Sequence, residues 1–166
     1  MIADGLLVNP QILHSLYSDD LPELKGVHVR SVNLSPRGPT VTLRMDLPTF
    51  PGVPPQEWRD EGMDTVQCQL QFVALDNLSL TLWDPPAVAD IEAVSLGSDR
   101  RMRVTASGSG LALRFDCADS VRVGHVSAFR KGANGSDSGR HLFLSKVDAR
   151  RHTVLPGAEE KTFYER

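Results

Sequence analysis

Residues 64–72 read D-T-V-Q-C-Q-L-Q-F, an almost unbroken alternation of apolar and polar side chains. Val66, Cys68, Leu70 and Phe72 fall on one side; Gln67, Gln69 and Gln71 fall on the other. A period of two is the signature of a half-buried β-strand, so one wall is expected on a core and the other in water. The pattern returns along the chain. Residues 40–47 place Val41, Leu43, Met45 and Leu47 inward and Thr42, Arg44 and Asp46 outward. Residues 27–34 alternate with a slip between Val29 and Val32, as a bulge would produce. Further strands are expected over 78–83, 101–106, 111–117 and 121–129, with a weaker one over 90–96. Turn and breaker residues separate them: Ser35-Pro36-Arg37-Gly38-Pro39, Asp76-Asn77, Asp84-Pro85-Pro86, Gly97-Ser98-Asp99 and Ser107-Gly108-Ser109-Gly110. Strands do not alternate with helices, which argues against a parallel α/β fold. The expected class is mainly β: an antiparallel sandwich or partly open barrel of about eight strands with one short N-terminal helix. That helix opens at Asn9-Pro10, with Asn9 placed to cap it, and carries Ile12, Leu13, Leu16 and Tyr17 on one face. The predicted core is Val41, Leu43, Val66, Cys68, Leu70, Phe72, Leu113 and Phe115.

The length of 166 residues suits one domain, expected over residues 1–130 with the helix packed on the sheet. A proline-rich connection spans 48–63, with Phe50, Val53 and Trp58 as apolar anchors. Residues 132–139, G-A-N-G-S-D-S-G, hold no apolar side chain larger than alanine; 131–139 is read as a flexible linker or loop. Residues 140–166 form a partly ordered extension, with one strand near Leu142 and a charged, fraying end.

The formal net charge of −3 and the scatter of Lys and Arg argue against a nucleic-acid surface. No run approaches the roughly 18 apolar residues of a membrane span, and the N-terminus lacks a signal-peptide pattern, so the expected location is the cytoplasm. Cys68 and Cys117 lie on apolar phases and read as buried thiols. His14, His28, His125, His141 and His152 are not at zinc-ligand spacing, and there is no C-x-x-C or G-x-S-x-G motif. Neither a metal, a cofactor nor a catalytic constellation is expected, and the chain is not read as an enzyme. Carboxylates gather at Asp19, Asp20 and Glu23 and again at Glu57, Asp60, Glu61 and Asp64. Solubilising loop charge is the simpler reading; otherwise they form an acidic surface for a basic partner. Trp58 and Trp83 are either buried loop anchors or exposed contact residues.

Several segments, in order, resemble the immunity protein 50 family of bacterial polymorphic toxin systems. They are N-P-Q-I-L-H-S-L-Y; G-V-H-V-R-S-V-N-L; G-P-T-V-T-L-R-M-D-L-P-T-F-P; P-P-Q-E-W; D-T-V-Q-C-Q-L-Q-F; then D-I-E-A, R-M-R-V and V-S-A-F. The resemblance runs over residues 9–129. It implies a small cytoplasmic protein, encoded beside a toxin, that binds and neutralises that toxin by stoichiometric occlusion. It brings no catalytic residues and no cofactor, and leaves the oligomeric state open. The first candidates for partner contact are Asp19, Asp20, Glu57, Asp60 and Glu61, with Trp58 as an anchor. The alternative is a β-barrel or sandwich holding a small ligand in its mouth, which demands a large apolar cavity.

Overall fold

The computed structural model describes residues 4–151. The expected fraying end of the chain lies outside these residues. Seven strands form one open sheet: β1 (Val27–Ser35), β2 (Thr40–Asp46), β3 (Thr65–Phe72), β4 (Asp76–Ser95), β5 (Arg101–Ala118), β6 (Val121–Phe129) and β7 (His141–Phe143). Their order is β5-β4-β1-β2-β3-β6-β7, and every neighbouring pair is antiparallel. The helices are short: α1 (Gln11–Tyr17), α2 (Gln56–Asp60) and α3 (Lys146–Arg151).

The expected mainly antiparallel fold is present, with seven strands where about eight were counted. The difference lies in β4 and β5. Asp84-Pro85-Pro86 does not end a strand; β4 bulges there, between Trp83↔Leu111 and Val88↔Ser109. The Ser-Gly-Ser-Gly segment is likewise no hairpin. Gly108 pairs with Ala89 in the middle of β5. The glycines serve close approach instead: a Cβ on Gly108 would lie 2.1 Å from the Val88 carbonyl oxygen. The bulge expected in β1 falls between Val29 and Ser31.

All eight predicted core residues are buried. Leu43 faces Leu70, and Leu70 faces Val123, so cross-strand pairs build the core layer by layer. Phe72 and Phe115 meet edge to face at 5.2 Å although β3 and β5 are not neighbours in the sheet. The sheet therefore curls, and the end of β5 closes over the same core. α1 adds Ile12, Leu13 and Leu16 to it, as expected. Asn9 plays a different part from the one its position implies. It makes no cap bond; its side chain donates to the Val123 carbonyl and accepts from the Val123 N–H, fastening the start of the helix to β6. Two good bonds to a strand backbone outcompete one cap bond.

The polar wall of β3 is the largest departure from expectation. Gln67 and Gln69 are 1% and 4% exposed, and Thr42 and Asp46 on β2 are buried beside them. Residues 130–145 return across this face. Lys131 N–H donates to Asp64, the Arg130 guanidinium donates to the Glu61 carbonyl, and β7 pairs with β6 at Ser127↔Phe143. The second wall is polar because it is packed against charged partners, and water is excluded from it.

Candidate functional site

The acidic loops stand clear of the sheet. Asp19 and Asp20 follow α1, and both are exposed. Glu57, Asp60 and Glu61 line α2 and its end, also exposed. Asp60 accepts a hydrogen bond from Gln56 Nε2 at 2.6 Å, and Glu61 lies 3.8 Å from Arg140. The two groups are linked through the intervening loop. Tyr17, at the end of α1, donates to the Thr49 carbonyl, and the adjacent Phe50 packs on Trp58 of α2. Trp58 is 1% exposed. Its indole holds the proline-rich connection to the core from beneath and presents no surface to a partner, which corrects its proposed place among the contacts. The loop's prolines leave N–H groups missing, so a large buried side chain is what fixes it.

A second cluster lies under the returning segment. Arg30 clasps Asp46 through Nε and Nη2, the shortest contact being 2.6 Å. Gln67 Nε2 donates to both Asp46 (2.9 Å) and Asp137 (3.0 Å). Arg44 Nη1 donates to Asp137 at 2.6 Å, and Arg30 Nη2 also donates to the Gly135 carbonyl. Burial opposes ionisation of Asp137, but the Gln67 hydrogen bond and the Arg30 and Arg44 charges outweigh it and hold the carboxyl below its ordinary value. His28, 3.6 Å from Asp46, has its imidazole pKa pushed down, chiefly by burial. His141 stacks on Phe129 and bonds Ser127 and the Asp137 carbonyl through its two ring nitrogens. These residues come from β1, β2, β3 and a segment some 70–100 positions later, so spacing along the chain carried no sign of them. The carboxylates of Asp46 and Asp137 are each answered by an arginine and by Gln67 from within the fold, which makes the cluster a fastening.

Elsewhere in the interior, β6 and α3 bring His125 and Asp148 to 3.3 Å of one another. Among the described residues no group of three His, Cys, Asp or Glu is placed to hold a metal. Burial pushes both thiols, Cys68 and Cys117, up to about 12.

Exposed apolar side chains concentrate elsewhere, on β4. Leu78, Leu80, Leu82, Trp83, Val88 and Val94 are all 38% exposed or more. Trp83 thus meets the condition for a contact residue that Trp58 does not. Among the described residues, no helix is long and apolar enough to cross a membrane.

No curated protein and no solved structure matches the chain. A model of the family Immunity protein 50 matches residues 9–128, from the asparagine that fastens α1 through the last core strand. With most of its length inside that match, the chain belongs to the immunity protein 50 family.

Proposed function

We propose that this protein neutralises one cognate toxin by binding it stoichiometrically and covering its active surface, with no turnover of its own, in the cytoplasm of the cell that makes both. Membership of an immunity protein family carries the reading. The geometry supports it in two ways. The exposed carboxylates of Asp19, Asp20, Glu57, Asp60 and Glu61 suit a basic partner surface, because complementary charge speeds encounter and sets register. Two hollows among the described residues are small. The apolar space between α1 and the sheet, bounded by Leu7, Leu13, Leu24, Leu47, Cys68 and Leu70, amounts to about 20 Å³, room for about one water. A depression of about 190 Å³ outside β4 and β5, edged by Ser79, Thr105 and Arg114, is shallow and falls short of the roughly 300 Å³ of a small-molecule site. Neither favours the ligand-holding alternative.

Co-expression with the toxin domain encoded beside this chain tests the proposal. Cells are expected to survive only when the folded protein is present in at least equimolar amount. Death despite soluble, folded protein would sink the immunity reading.

A further inference from the structure

The two ends of β4 are in different situations. Its second part pairs with β5 and, at Ala87–Ala89, also with β1, and Ile91 N–H donates to the Leu24 carbonyl. Its first part, from Asp76 to Pro86, pairs with β5 alone; among the described residues no backbone group answers its other edge. Such an edge is a ready template for another strand, and proteins ordinarily blunt it with lysines, prolines or inward charges. Here Pro85 and Pro86 blunt one end and Asp76 marks the other, with bulges between Asp76 and Ser79 and between Leu80 and Leu82. The remainder reads L-S-L-T-L-W.

Register shows what an added strand would meet. Leu80 pairs with Leu113 and Trp83 with Leu111. Cross-strand partners share a face, and Leu113 and Leu111 are 2% and 0% exposed. The core wall thus continues outward through Leu80 (39% exposed) and Trp83 (38%) and stops there uncovered. Leu82 pairs with Ala112 across a bulge and lies on the reverse face.

We propose, resting on the toxin-binding reading above, that an extended segment of the toxin adds to β4 along Asp76–Pro86 as an eighth strand. Its backbone completes the open ladder. Its alternate apolar side chains cover Leu80 and Trp83, and a Lys or Arg near one end meets Asp84. Charge picks this occupant over a second copy of the chain. Asp84 is exposed and has no ion-pair partner among the described residues, while Asp76, 67% exposed, shares Arg101 at 2.6 Å. Two copies paired antiparallel about Leu80 would set Asp76 of each against Asp84 of the other, bringing like charges together. A toxin strand with a basic end has the opposite complementarity. The mode is β-augmentation, in which main-chain bonds supply affinity and alternate side chains supply specificity.

The test is backbone amide exchange of the full chain, alone and with the toxin domain from the adjacent gene. Exchange over 76–86 is expected to slow by about tenfold or more on binding, as for amides entering a ladder. Leu80→Lys, at an exposed position, should keep the thermal melt of the parent and raise the Kd by about tenfold, mostly through faster dissociation. A complex that forms with unchanged exchange over 76–86 overturns the edge proposal and leaves the toxin-binding reading intact. A toxin domain that does not bind the parent chain overturns both. Concentration-dependent protection of 76–86 without toxin, with a dimer in sedimentation, overturns it in favour of self-pairing.

Discussion

A methyl group on Gly110 would stand 2.3 Å from the Asp84 carbonyl oxygen and 3.2 Å from that of Pro86. The residue also sits at φ +84, a conformation that side chains resist. The bulge in β4 and the glycine at position 110 of β5 are therefore one feature, made possible by the absence of a side chain. Gly110→Ala is expected to lower the free energy of unfolding by about 1–3 kcal/mol, the usual scale of imposed backbone strain. Gly52→Ala, in open space at ordinary φ, should stay within about 0.5 kcal/mol of the parent. Equal urea midpoints for the two variants would show that the strands can part at Gly110 without loss. In the sequence this glycine stood in a Ser-Gly-Ser-Gly run typical of turns. Local composition records that backbone freedom is needed; it does not record that the need comes from a neighbouring strand. Trp58 teaches the converse. Burial or exposure of a loop tryptophan depends on whether the core has room beneath the loop, which only the assembled sheet decides.

At the level of elements, the legible part was the core side of the sheet. Val66, Cys68, Leu70 and Phe72 alternate because one wall must be apolar, and that constraint is local. The opposite wall obeys no such local rule. Gln67 is equally compatible with water and with a buried network, and its partners Asp46 and Asp137 lie 21 and 70 positions away. The Gly- and Ser-rich segment that supplies Asp137 has no periodicity to read, yet its carboxylate and the Gly135 carbonyl tie it to Arg44 and Arg30. Asp137→Asn is expected to loosen residues 130–140, seen as faster amide exchange there, while β2 and β3 keep theirs. The pH dependence follows from the lowered carboxyl. A folded-state pKa below the ordinary 3.8 adds stability that is present above about pH 4 and fades as pH falls through the lower, folded value. The parent and Asp137→Asn should therefore differ in urea midpoint at pH 7 and converge in strong acid. A difference that persists below pH 2 would mean the segment is held by its backbone contacts alone.

For the molecule as a whole, the two proposed contact surfaces would work on one partner by different physics. The β4 edge would act only at contact, through hydrogen bonds and apolar cover, and so would govern how long a complex lasts. The acidic loops act at a distance. Asp19, Asp20, Glu57, Asp60 and Glu61 project from α1, α2 and their ends, and their field reaches about 8 Å at physiological ionic strength. Their effect belongs in the rate of encounter. Reversing Asp60 and Glu61 to lysine disturbs little among the described residues, since Asp60 bonds the exposed Gln56 and Glu61 lies at the limit of reach of Arg140. The Glu61 carbonyl, which anchors Arg130, is unchanged by the substitution. If these loops face a basic toxin surface, the double reversal should cut the association rate about tenfold at low salt, and the gap should narrow as salt rises. Dissociation should change far less. Stopped-flow mixing with the toxin domain across a salt series measures both rates in one experiment. An association rate and salt slope matching those of the parent would remove the α2 loop from the interface, while the β4 edge would still be judged by its own exchange test.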